Sequence, residues 1–385
     1  MNRFFFRKKQ FISVQSVQSV LGLLIIISAV FLISFHSTAQ INVKSTEAKL
    51  DEAIDSFYVT DSLPGITVEI MTPGFNYIKA VGKADLITGS DRKIEDKIRI
   101  GSITKTFVAT VILQLTDEGK TGLDDNLSKY FPDYPNASDI TIRQMLDMTS
   151  GIPDYVEDSV VLKSFVYSRL DKYTPLELFD ITKAMNPDFP PGTGWKYSNG
   201  NYNILGMIIE KITGNKIGDE ISKRIIIPLG LTSTSYPDSP YMEGQYSHGY
   251  MKDPETGKIL DVTVMDPSIT WAAGCMISNL PDLKIYAEAL AKGSMISSES
   301  QKERLKLINT GVSKFVSYGL GIFSLEGFLG HNGGITGYNT TMCYNPELDA
   351  LILVSVNEYG EEGGKSDAVF VKLAEILYPE KNFFK

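Results

Sequence analysis

Strand-like segments gather at the two ends of this chain and thin out in its middle, which restricts the folds open to it. Near one end, residues 66–70 and 77–81 are rich in β-branched and aromatic types and flank a Thr72-Pro73-Gly74 turn. Residues 97–100 add a short strand running into Gly101-Ser102. Near the other end, residues 318–325, 337–344 and 350–356 alternate or run apolar as strands do. Helical periodicity accompanies both sets. Residues 46–58, 282–292 and 368–377 show it, and in residues 103–118 the side chains of Ile103, Phe107, Val111, Ile112 and Leu115 share a face before Gly119. Between about 120 and 270 the chain is rich in Pro, Gly, Asp and Tyr, with helical pieces at 140–149 and 202–213. The pattern predicts an α/β lobe of residues 46–120 and 270–385, closed by both ends of the chain, with a mostly helical lobe of residues 121–269 inserted.

The first 39 residues read separately. Arg3, Arg7, Lys8 and Lys9 precede an apolar stretch at 20–35, and Ser37-Thr38-Ala39 places small residues at a cleavage site. This predicts a secretory signal removed after Ala39 and a periplasmic or secreted protein; an uncleaved anchor is the alternative, because the stretch approaches spanning length. The remaining residues 40–385 carry a formal charge of −13, since the signal takes four basic and no acidic groups from a total of −9. Such acidity disfavours nucleic acid and anionic membrane as partners, and no second stretch is apolar enough to span a bilayer. Cys275 and Cys343 are open to two readings, a disulfide or two small buried hydrophobes. With only His248 and His331 left after the signal, no Cys/His or His/Glu cluster has metal-ligand spacing.

No G-x-S-x-G elbow, P-loop or dinucleotide fingerprint occurs. What does occur is Ser102-Ile103-Thr104-Lys105, placed between a strand and a helix. A serine and a lysine three apart on a helix share a face. The serine then feels the positive helix end, and a desolvated lysine can take its proton. A second S-x-x-K, Ser90 to Lys93, lies in a polar turn and reads as solvated surface. Tyr197-Ser198-Asn199 follows a Pro/Gly loop and precedes a helix, and it pairs a phenol for proton transfer with an amide for lysine or a substrate carbonyl. Tyr134-Pro135-Asn136 matches the same pattern but reads as a turn. His331-Asn332-Gly333-Gly334 precedes the 337–344 strand; it reads either as a Gly-rich turn or as a place where a substrate backbone meets a free N–H. Lys120-Thr121-Gly122 reads as the end of the preceding helix.

In this order the three motifs resemble the penicillin-recognising serine hydrolases: class C β-lactamases, D-alanyl-D-alanine carboxypeptidases, and related esterases and D-aminopeptidases. The likeness extends to residues 140–153, 191–214, 228–231, 272–282, 330–344 and 349–357, and so over nearly all of 46–378. It implies a β-lactamase/transpeptidase-like fold, an antiparallel sheet flanked by helices. It implies Ser102 as nucleophile, and Lys105 and Tyr197 as the groups that move protons. It also implies Asn199 on the substrate amide, the N–H groups of Ser102 and Gly334 as oxyanion hole, His331, Asn332 and Gly333 beside the substrate, and no metal or organic cofactor. Histidine and asparagine stand where many members have lysine and a hydroxyl residue, which touches recognition of a terminal carboxylate. The expected substrate is a small peptide, β-lactam or ester, with D-alanyl peptides leading and an esterase or D-aminopeptidase as alternative. From a different class, a non-catalytic binder of cell-wall fragments is the rival. No oligomeric state is assigned.

Overall fold

The computed structural model describes residues 43–253, 255–359, 364–381 and 383, so the signal reading of residues 1–39 lies outside the described part. The chain enters through helix α1 (Val43–Thr60) and the hairpin β1 (Gly65–Thr72) and β2 (Phe75–Gly82). A two-residue strand β3 (Ile98–Arg99) leads by one 3-10 turn into α2 (Thr104–Asp117). The inserted segment carries α3 (Ile142–Leu146), α4 (Ser159–Val166), α5 (Pro175–Ala184) and α6 (Asn199–Thr213), then a small hairpin, β4 (Tyr250–Lys252) and β5 (Ile259–Asp261). Strand β6 (Ile277–Ser278) pairs back onto β3 before α7 (Leu280–Lys292). The sheet is then completed by β7 (Ile308–Asn309), β8 (Val316–Tyr318), β9 (Phe323–Leu325), β10 (Phe328–Ile335), β11 (Tyr338–Asn345) and β12 (Ala350–Val356), and α8 (Ser366–Leu377) follows.

The eight strands order as β2-β1-β12-β11-β10-β9-β8-β7, each pair antiparallel. Both ends of the chain therefore meet at the β1–β12 pair, as the distribution of strand-like segments requires. Every residue of β11 and β12 is buried, because helices cover both faces of the sheet centre. The apolar run of β12 follows from that double burial, whereas β11 buries Asn339, Thr340, Thr341 and Asn345 among its apolar residues.

Register decides which face each side chain meets. His331, Met342, Leu353 and Glu69 form one row across the sheet. Lys284 on α7 pairs with Glu69 at 2.8 Å, so this row faces α7. The adjacent row, Asn332, Thr341, Val354 and Val68, points to the opposite face. There Thr341 bonds Ser366 and Asp367 at the start of α8.

Three expectations are corrected. Residues 318–325 are not one strand but the hairpin β8–β9, turned through Gly321 at a φ of +68°. The 140–149 helix shrinks to α3, stopped after Leu146. The glycine-rich stretch at 331–334 is not a turn but the body of β10, and the turn falls at 336–337. Glycines weaken a strand signal, yet here they permit close approach. A Cβ on Gly333 would lie 1.9 Å from the Ile100 carbonyl oxygen. Cys275 and Cys343 are both free and buried; burial pushes the Cys275 thiol up to about 12 and the Cys343 thiol well above its usual value.

Candidate active site

Ser102 lies in the 3-10 turn Gly101–Ile103 that opens α2, where the first N–H groups of a helix lack partners. Gly101 has a φ of +51°, a conformation that costs other residues strain. It also has no room for a side chain: a Cβ there would meet Gly334 O at 2.9 Å and Gly334 N at 3.1 Å. The turn thus lies flush against β10. On its outer side β10 pairs with β9 only through Gly330, so the edge from His331 onward is open. Ser102 and Gly334 both line the cavity beside this edge.

Lys105, one turn after Ser102 and in the first turn of α2, is completely buried. Its Nζ meets Asn199 Oδ1 at 2.7 Å, the Ala273 carbonyl oxygen at 2.7 Å and Ser102 Oγ at 3.0 Å. The two carbonyl oxygens can only accept. A neutral amine gives them its two hydrogens and turns its lone pair to the Ser102 hydroxyl, the geometry of a base poised on a nucleophile. Burial pushes the Lys105 amine down to about 7, against the opposing pull of Asp154.

Tyr197-Ser198-Asn199 is a helix cap. Ser198 Oγ accepts the Gly200 N–H at 3.1 Å and donates to the Pro153 carbonyl at 3.0 Å, so the buried middle residue anchors the two functional side chains beside it. Asn199 gives its amide N–H to both Asp154 carboxylate oxygens, at 2.9 and 3.2 Å, which leaves its carbonyl for Lys105. The Tyr197 hydroxyl is buried with no partner in hydrogen-bond geometry. Burial raises its pKa well above the usual phenol value, with nearby Ser102 opposing the shift. Lys105 Nζ lies 4.8 Å from the Tyr197 ring centroid. Between the two candidate bases, the lysine is shifted toward the deprotonated form and the tyrosine away from it.

Asp154 went unrecognised in the sequence, where an acid after Ile152-Pro153 resembles any polar loop residue. It is buried, which raises its carboxyl above the usual range. Asp154→Asn removes a charge that favours the Lys105 ammonium. The acid limb of the kcat/KM–pH profile is therefore expected to move to lower pH, measured on any turned-over substrate. Asp154→Ala, which also frees Asn199, is expected to lower kcat/KM about 10- to 100-fold.

The third motif divides by strand parity. Asn332 and Gly334 line the cavity at Ser102, and His331 and Gly333 do not. The expected contact of His331 with substrate is thus corrected. Its ring is buried on the α7 face, with Nδ1 donating to the Asn332 carbonyl at 2.5 Å and Nε2 accepting from the Tyr318 hydroxyl at 3.0 Å. Burial holds it neutral, with a pKa of about 3. It packs 6.2 Å, centroid to centroid, from the Tyr197 ring and so supports that residue from behind. The competing copies of the motifs fall elsewhere: Ser90 and Lys93 are exposed, Asn136 lies in a turn, and Thr121 follows the end of α2.

The cavity over Ser102 holds about 550 Å³. Leu162, Phe165 and Val166 of α4 form an apolar part of its wall, and Asp367 of α8 supplies an acid. Among the described residues no three His, Cys, Asp or Glu groups cluster to hold a metal.

A serine hydroxyl on a buried amine, beside a helix start, an open strand edge and a cavity, is the arrangement of a serine hydrolase. The chain belongs to the Beta-lactamase family, whose model matches residues 50–376. A penicillin-binding protein of Bacillus subtilis is 27% identical over 322 residues, covering 78% of this chain and 69% of its own. The chain spans 63–69% of the length of such curated relatives. Among solved structures, a D-stereospecific amidohydrolase from Streptomyces sp. is 33% identical with a TM-score of 0.76, covering 87% of this chain and 98% of its own. The D-amino acid amidase of Ochrobactrum anthropi SV3 is 25% identical with a TM-score of 0.77, covering 88% and 100%. These agree with an antiparallel sheet flanked by helices and with a serine hydrolase.

Proposed function

We propose that this chain is an amidohydrolase that cleaves small amides of D-amino acids through an acyl-enzyme on Ser102. The observation that carries the reading is the lysine site, where two carbonyl acceptors aim the Lys105 lone pair at the Ser102 hydroxyl. Ser102 Oγ attacks the substrate carbonyl carbon as its proton passes to Lys105 Nζ. The carbonyl oxygen gathers negative charge between the N–H groups of Ser102 and Gly334. Collapse expels the amine, which receives the proton by way of Lys105 and the neutral Tyr197 phenol. Water then attacks the ester with Lys105 again as base, releasing the acid and restoring the serine.

The acyl-enzyme chemistry alone also suits a D-alanyl-D-alanine carboxypeptidase, which must hold a substrate carboxylate. No lysine, arginine or histidine lines the described wall of the cavity, and Asp367 does. That charge pattern favours amide over carboxypeptide substrates, in keeping with the amidase and amidohydrolase among the similar structures. Steady-state rates on D-phenylalanine amide, a D-alanyl-D-alanine peptide and a penicillin discriminate the two. The amide is expected to be turned over with kcat/KM at least about 10-fold above the peptide, the scale of one misplaced charge. The opposite ranking supports the carboxypeptidase.

A further inference from the structure

The cleft has two unlike ends. At about 3.3 Å of rise per residue Asn332 lies roughly 7 Å from Gly334 along β10, Thr336 follows the strand on the other side of Gly334, and Gly334 stands beside the Ser102 turn. On the Thr336 side, its hydroxyl donates to the Phe165 carbonyl at 3.0 Å and ties α4, with its apolar side chains, to the cleft. On the Asn332 side stands Asp367. Asn332 Nδ2 donates to Asp367 Oδ2 at 2.7 Å, and Thr341 Oγ1 donates to Asp367 Oδ1 at 2.5 Å.

Each carboxylate oxygen thus spends one acceptor site on a neutral donor and keeps the rest. Among the described residues no lysine, arginine or histidine forms an ion pair with Asp367. The bond to Asp367 also orients the Asn332 amide: with Nδ2 committed, its carbonyl Oδ1 is left as a further acceptor. Beside them the Tyr359 ring closes over Gly334, where an added Cβ would lie 2.5 Å from its Cζ. A carboxylate, an amide oxygen and an aromatic face are the set that receives an organic cation and rejects an anion.

We infer that the Asn332–Asp367 end of the cleft is a cation subsite, and that the preferred substrates carry an ammonium group on the amine leaving the acyl carbon. This rests on the amidohydrolase reading and extends it, because the acyl group then occupies the apolar α4 end. The substrate class is an amide joining a D-amino acid with an apolar side chain to an amine that bears a further charged nitrogen. Asp367 acts here as a specificity-determining residue, with Asn332 and Thr341 holding its carboxylate toward the cleft.

The test uses the full enzyme and three D-phenylalanyl amides of similar size, made from ethylenediamine (one free ammonium), propylamine and glycine (a carboxylate). Wild-type kcat/KM is expected to fall in that order, with the ammonium amide about 10- to 100-fold above the glycine compound, and the span narrowing as salt is raised. Asp367→Asn is expected to bring the ratio of ammonium to carboxylate amide close to one, and Asp367→Glu to retain part of it. The wild-type series and its salt dependence stand without any variant. Equal rates on all three, or a ratio unmoved by Asp367→Asn, overturn the cation subsite and leave the amidohydrolase intact. Turnover of none of the three, with hydrolysis only of D-alanyl carboxypeptides, overturns the amidohydrolase reading itself.

Discussion

Ser102→Ala is expected to abolish acylation by a fluorescent penicillin or an alkyl fluorophosphonate, and to lower amide hydrolysis about 10⁴-fold or more. The size of the loss follows from the site's construction. Lys105, itself held by Asn199 and the Ala273 carbonyl, meets the Ser102 oxygen, and among the described residues it bonds no other hydroxyl. The fold should survive, because alanine suits a helical turn and the Ser102 hydroxyl holds nothing besides the Lys105 amine in the resting protein. Circular dichroism and the melting temperature of the variant, set beside its activity, separate lost chemistry from lost structure.

The second large effect separates the two copies of the same motif. Lys105→Ala is expected to lower kcat/KM about 10³-fold or more, since it deletes the base and leaves Asn199 Oδ1 and the Ala273 carbonyl without their donor. Lys93→Ala, on an exposed polar turn, is expected to change kcat/KM less than about twofold, within the range of a surface substitution. Comparable losses would mean that the lysine bonded to Ser102 is not the base. The wild-type pH profile bears on the same point: activity should rise as pH passes about 7, where Lys105 loses its proton. An active phenolate of Tyr197 would instead place the rise at the alkaline end, because burial raises that phenol.

How much of this was legible beforehand depends on the physics each residue obeys. Ser102 and Lys105 could be read because they sit three apart where a strand gives way to the helical periodicity of α2. That local context, not the motif itself, set them apart from Ser90 and Lys93. Tyr197 and Asn199 could be read because the residue between them is a helix cap, a local signal. The sheet centre could be read because double burial writes an apolar run into β12 and β-branched and aromatic residues into β11. The division of His331 from Asn332 could not be read, since it turns on strand parity, and parity is invisible until His331 to Gly334 is known to be a strand. Asp154 and Asp367 stayed hidden for another reason. Each acts through contacts 45 and 35 residues away along the chain, with Asn199 and Asn332, and neither has a local pattern.

The most direct test of the acyl-enzyme is mass spectrometry of intact enzyme quenched with acid during turnover of a D-amino acid ester or amide, followed by peptide mapping. The expected result is a mass increase equal to the acyl group, located on Ser102 and absent from Ser102→Ala. Turnover of the substrate with no adduct at any quench time, or with the adduct on another residue such as Ser90, would contradict it.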